Sequence, residues 1–203
     1  MLKKSASLLA CLTLLTLLAG CRVVLVDETL AEEEKAPPVV SGEEIITLDS
    51  SVQFDKKMVV RGQTNLPEGS VLQAGLKEYP DDAAMEQIMN AEVQPLEDFI
   101  LTGTGEVSED GTFLIVLKRG EREKRYQLTV EFLSDLQPPH IKEKYGELGE
   151  KIGDSEGAYQ YEKDGKTYTG IIRFAPIPKP SDHGFYSGKM KLNSDPANAD
   201  PFW

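Results

Sequence analysis

The chain of 203 residues predicts an all-β fold, an antiparallel β-sandwich with one or two short inserted helices. Three observations lead there. Short apolar runs of period two recur from Ile45 onward, and turn-forming Asp-Gly and Pro-x-Gly sequences separate them. No long helix alternates with these strands, as the crossovers of a parallel sheet would require.

The clearest strand is residues 126–132. Tyr126, Leu128, Val130 and Phe132 share one face and Gln127, Thr129 and Glu131 the other, which predicts one core face and one solvent face. Leu72, Ala74 and Leu76 alternate with Gln73, Gly75 and Lys77 in the same way, and Tyr168, Gly170, Ile172 and Phe174 form a third row. Asp110-Gly111 and Asp164-Gly165 tolerate the positive φ of tight turns, so each predicts a hairpin. Leu66-Pro67-Glu68-Gly69 predicts a turn joining residues 58–64 to 71–79, with Asn65 expected to bond local backbone, and the charged residues 120–124 predict a fourth turn.

Two segments break the period. Residues 81–90 carry acids at the front and Met85, Ile88 and Met89 at helical spacing, which reads as a short helix whose methionines pack the core. Pro138, Pro139 and His140 open a second helical stretch within 141–152, weakened by Gly146 and Gly149.

The N-terminus has the three parts of a secretory signal: Lys3 and Lys4, an apolar run from Leu8 to Leu18, and the small residues Ala19 and Gly20. The run is shorter than the roughly 18 residues of a membrane span, so cleavage is expected. Leu18-Ala19-Gly20-Cys21 resembles the bacterial lipobox, which implies acylation of the Cys21 thiol and cleavage before it. Residues 21–44 hold the lipidated cysteine and a stretch dense in acid around Pro37-Pro38, an expected disordered tether. Residues 45–192 make the sandwich domain and 193–203 a flexible tail. Cys11 falls in the removed signal, so the mature chain has no cysteine pair for a disulfide or a thiolate metal site.

The sequence carries 22 basic and 34 acidic residues. Loss of residues 1–20 removes Lys3 and Lys4 and leaves 20 against 34, a balance of −14. Such a chain repels phosphate backbones, so nucleic acid is not an expected partner.

No reaction-bearing motif stands out. The chain has no Gly-x-Ser-x-Gly elbow, phosphate-binding glycine loop, dinucleotide fingerprint or His-Glu-x-x-His helix. His140 and His183 are its two histidines, too few for a histidine-rich metal site. Ser181-Asp182-His183 makes a poor triad, because adjacent residues on an extended chain point to opposite sides. The acidic runs lack the ligand order of a calcium loop and read as solvated faces. We therefore expect no catalytic residue, no metal site and no cofactor. The aromatic cluster of Tyr159, Tyr161 and Tyr168, beside Lys163 and Lys166, is the candidate partner-binding site, although cross-strand aromatic pairs also stabilise hairpins.

One segment is familiar. Thr64, Asn65, Leu66, Pro67, Glu68 and Gly69, preceded by Gly62 and followed by Ser70, resemble the Gly-x-Thr-Asn-Leu-Pro-Asp-Gly-Thr motif of small secreted proteins and lipoproteins of Firmicutes. Glu68 and Ser70 replace the usual aspartate and threonine. The likeness runs more loosely through Asp110-Gly111-Thr112-Phe113, residues 126–132, Gln137-Pro138 and Tyr145-Gly146-Glu147. It implies an immunoglobulin-like sandwich module in the envelope and names no activity. Together these readings predict a non-enzymatic binding or accessory module, lipid-anchored at the extracytoplasmic face of the cell membrane. Its expected partners are the membrane, through the anchor, and an envelope protein or wall polymer. A carboxylate-based hydrolase of wall or secreted material and a cation-binding surface lipoprotein are the alternatives.

Overall fold

The computed structural model describes residues 42–182 and 188–196. The expected signal peptide, Cys21, most of the tether and the end of the tail lie outside the described residues. Nine strands and two helices follow in the order β1 (Leu48–Phe54), β2 (Lys57–Thr64), β3 (Val71–Glu78), α1 (Met85–Met89), β4 (Phe99–Glu106), β5 (Thr112–Lys118), β6 (Tyr126–Leu133), α2 (Pro139–Tyr145), β7 (Ala158–Lys163), β8 (Lys166–Ile177) and β9 (Lys189–Lys191). They build two antiparallel sheets, one of four strands in the order β5-β2-β1-β9 and one of five in the order β4-β3-β6-β8-β7. The chain is an all-β sandwich with short helices.

Alternation puts one core from both sheets between them. Leu48, Val52, Phe54, Met58, Val60 and Ile115 come from the four-stranded sheet, and Leu72, Leu76, Leu128, Val130 and Phe132 from the other, all 1% exposed or less. Helix α2 closes one end with Ile141 and Tyr145. The Tyr145 ring meets Phe132 edge-on at 5.6 Å, so truncating either aromatic is expected to cost about 3–5 kcal/mol. Pro139 in the first turn starts α2, and Gly146, at φ 93°, ends it. Helix α1 and Tyr79 make a small second cluster in which Met85 and Ile88 are buried.

Four expectations change. The Asp110-Gly111 turn forms, with Gly111 at φ 78°, but it does not make a two-stranded hairpin. Only Val107 and Phe113 bridge across it; beyond them β4 joins one sheet and β5 pairs with β2 in the other. Residues of β6 expected to face solvent are buried, because β6 is central in its sheet and its outward side chains are covered: Gln127 donates to the Tyr79 hydroxyl and Glu131 accepts from Tyr159. The row of Tyr168, Gly170, Ile172 and Phe174 points outward, since pairing with β6 gives the core face to Ile171, Ala175 and Ile177. Arg173 shares that inner face at 4% exposure and donates to the carbonyls of Leu48, Glu156 and Ile172, which ties the two sheets together.

The last change concerns the ends of the domain. Gly42 and Glu44 donate backbone hydrogen bonds to Ile152 and Lys151, and Asn193 exchanges both of its own with Phe174. Residues 42–44 and 193 therefore belong to the fold and not to a tether or tail.

Candidate functional site

The Asp164-Gly165 pair forms a two-residue hairpin with positive φ at both positions (51° and 72°) and the register Lys163 to Lys166. That register puts Tyr161 opposite Tyr168 and Tyr159 opposite Gly170, all on the outward face of the five-stranded sheet. The rings form a ladder: Tyr161 stacks on Tyr168 at 5.4 Å and 17°, and Tyr159 lies 5.5 Å from Tyr161. Gly170 leaves the room, since a Cβ there would come within 3.0 Å of the Tyr159 ring.

Two of the three hydroxyls are engaged inside the protein. Tyr159 donates to Glu131 Oε1 at 3.0 Å and Tyr161 to Asp135 Oδ1 at 2.6 Å, while Lys163 pairs with the other Asp135 oxygen. Burial first, and the facing carboxylates second, push both phenols well above the usual tyrosine range. Burial likewise raises Glu131, against the opposing pull of the Tyr159 hydroxyl. At Asp135 burial works upward too, but the Lys163 and Tyr161 hydrogen bonds outweigh it and hold the carboxyl below its ordinary value. The structure thus brings the three predicted tyrosines together, and spends two of them on fastening β7 and β8 to the sheet.

The Thr64–Gly69 turn is a junction. Asn65 bonds distant backbone rather than local backbone: Oδ1 accepts from Thr47 N at 2.9 Å and Nδ2 donates to Ile45 O at 2.8 Å. Thr64 Oγ1 donates to Thr47 O at 2.7 Å, Leu66 is buried, and Gly69, at φ 77°, donates its N–H to Val107 O. Thr64 and Asn65 thus extend the pairing of β2 with the segment that leads into β1, while the Gly69 bond ties the β2–β3 connection to Val107 just after β4. Asp182 of the Ser-Asp-His cluster receives both Nε and Nη2 of Arg125, at 2.9 and 2.5 Å, in a buried two-point pair; His183 lies outside the described residues. Among the described residues no three His, Cys, Asp or Glu side chains are grouped to hold a metal ion. No helix among them is long and apolar enough to cross a membrane.

No family model matches the chain, and no curated protein or solved structure matches it either.

The surface that sequence reasoning missed is the outward face of the four-stranded sheet. Register sets its side chains in rows across β5, β2, β1 and β9. Thr112, Gln63 and Asp49 make the first row, and Leu114, Arg61, Ser51 and Lys191 the second. Val116, Val59, Gln53 and Lys189 follow, and Lys118 stands directly opposite Lys57 in the last. In these rows five cations stand with one carboxylate, Asp49, which lies 4.0 Å from the Lys191 ammonium, in a chain whose net charge is −12. At its middle Leu114 and Val116 are 52% and 51% exposed. Each strand carried the signal in its alternation, as in Lys57-x-Val59-x-Arg61, but only the pairing of β2 with β5 assembles it.

Proposed function

We propose that this chain is a lipid-anchored, non-enzymatic binding module at the extracytoplasmic face of the cell membrane, and that the outward face of its four-stranded sheet takes an anionic partner of the envelope. The lipobox-like Leu18-Ala19-Gly20-Cys21 supports the anchor. The observation that carries the binding surface is the cationic, aliphatic-centred face itself. Like charges directly opposite one another on a sheet are destabilising, and Lys57 faces Lys118 across the β2–β5 pair. Two aliphatic side chains, Leu114 and Val116, also leave half of their surface in water. An acidic partner neutralises the first feature and buries the second. The other outward face fits the role less well, because its tyrosine hydroxyls and carboxylates already satisfy one another.

The test separates face from anchor. A Cys21→Ala chain, which has no acylation site, is sedimented with envelope fragments at low and high salt. Binding that falls with salt, and falls again in the Arg61→Glu/Lys118→Glu variant, is the expected result. Equal sedimentation of the variant and the parent overturns the assignment of the face.

A further inference from the structure

We propose that the free edge of β7 pairs with the same edge of a second copy of this chain, antiparallel and centred on Tyr161, so that two five-stranded sheets join into one. Among the described residues the two sheets have four edges, and three of them are blunted. β4 and β5 abut each other: Val107 bridges Phe113, and a Cβ at Gly105 would lie 2.5 Å from the Leu114 carbonyl oxygen. β9 is three residues long and carries Lys189 and Lys191, and shortness and lysines both oppose edge pairing. β7 has six residues without proline or bulge, and among the described residues it pairs with β8 alone. Both of its charged side chains are bonded back into their own chain: Glu162 accepts from Thr167 Oγ1 at 2.9 Å, and Lys163 pairs with Asp135.

Backbone phase leaves that edge open. Ile172 donates its N–H to Gly157 O, so the odd-numbered residues of β7 bond to β8. The N–H and C=O of Gln160 and Glu162 therefore point to the open side, where no described residue bonds them. Side chains and phase select the copy and its register. With Gln160 opposite Glu162 of the second copy, and Glu162 opposite its Gln160, each pair exchanges two backbone hydrogen bonds, and a side-chain amide meets a carboxylate with no like charges opposed. Tyr161 then faces Tyr161 of the second copy, and the ladder that stacks Tyr161 on Tyr168 at 5.4 Å runs on across the join. The neighbouring register, Gln160 opposite Gln160, needs the Ala158 N–H, which Ser155 O already holds.

The join has room. Gln160 and Glu162, on the side of β7 away from its tyrosines, are exposed, so the four-stranded sheet does not overhang the edge. Residues opposite one another in antiparallel strands share a face, so the two-fold axis stands perpendicular to the joined sheet. The outward faces of both four-stranded sheets then point the same way, although the pairing does not depend on what those faces bind.

The parent for the test is the full chain with Cys11→Ala and Cys21→Ala, which has no thiol. A single-strand join buries less than about 1,200 Å² and is weak, so sedimentation equilibrium is carried to about 1 mM chain, where a monomer–dimer equilibrium is the expected result. Gln160→Pro removes an outward N–H and keeps the bonds to β8, and it should weaken the dimer about tenfold or more. Register is read with thiols. Gln160→Cys and Glu162→Cys chains are mixed and mildly oxidised, and the mixture should form disulfide dimers about tenfold faster than either variant alone. Alone, like positions sit about 8–9 Å apart along the paired strands, beyond the roughly 7 Å that a disulfide spans. A parent that stays monomeric, a dimer unmoved by Gln160→Pro, or a mixture that links no faster than the single variants would each overturn the pairing. If Gln160→Pro does not fold, the parent's association and the thiol mixture decide.

Discussion

Asn65 offers a sharp test of how the sandwich is closed. Its side chain links the turn to both Ile45 O and Thr47 N, and it mimics a strand pairing with the segment that leads into β1. Asn65→Ala removes both bonds. A net hydrogen bond contributes about 0.5–1.5 kcal/mol, and at this exposed position water can take over the released Thr47 N–H and Ile45 carbonyl. The expected loss is therefore about 1–2 kcal/mol, toward the low end of two full bonds. For a domain of this size that lowers Tm by about 2–8 °C. Asn65→Asp keeps the acceptor for Thr47 but sets an oxygen against the Ile45 carbonyl, so it should be at least as costly at neutral pH. Calorimetry gives the energies, and hydrogen exchange at the Thr47 amide localises them. An unchanged Tm together with an unchanged Thr47 exchange rate in Asn65→Ala would refute the junction.

Three further outcomes follow from the same structure. Cys21→Ser should take up no labelled palmitate and should move from the detergent to the aqueous phase on phase separation; continued labelling would sink the anchor. Glu131, buried at 6% exposure, has its pKa raised from 4.5, so its folded state binds protons more tightly than the unfolded chain and stability falls as pH rises through that window. Glu131→Gln keeps an acceptor for Tyr159 without the buried charge, and should raise Tm at pH 7, with the gain closing below pH 4.5; a lower Tm at pH 7 would contradict it. At Gly105, β4 crosses the edge of β5 so closely that a Cβ would lie 2.5 Å from the Leu114 carbonyl oxygen. Gly105→Ala should cost about 1–3 kcal/mol, and wild-type stability by denaturant titration would show that the two edges do not meet.

What could be read from the sequence was local. Alternation alone marks residues 72–76 and 126–132, positive-φ chemistry marks the Asp164-Gly165 hairpin and with it the tyrosine register, and the 3.6 period finds Met85 and Ile88 of α1. Which strand pairs with which was not legible, because turn sequences at Pro67-Glu68 and Asp110-Gly111 look alike whether the chain folds back in one sheet or crosses to the other. That choice decides everything beyond it. It buries Gln127 and Glu131 behind Tyr79 and Tyr159, reverses the faces of β8, and sends Asn65 to carbonyl and amide partners 20 and 18 residues upstream. It also gathers Lys57, Arg61, Lys118, Lys189 and Lys191, distant in sequence and individually ordinary, onto one face.

The central claim is that this face meets a partner in the envelope, and a photo-activated cross-linking residue tests it in place. It is set at Leu114 in the chain expressed in its own envelope, with Thr104, exposed on the outward face of the other sheet, as the control position. Adducts from Leu114 to another macromolecule, and none from Thr104, are the expected result. Adducts equal in kind and yield at the two positions would contradict it.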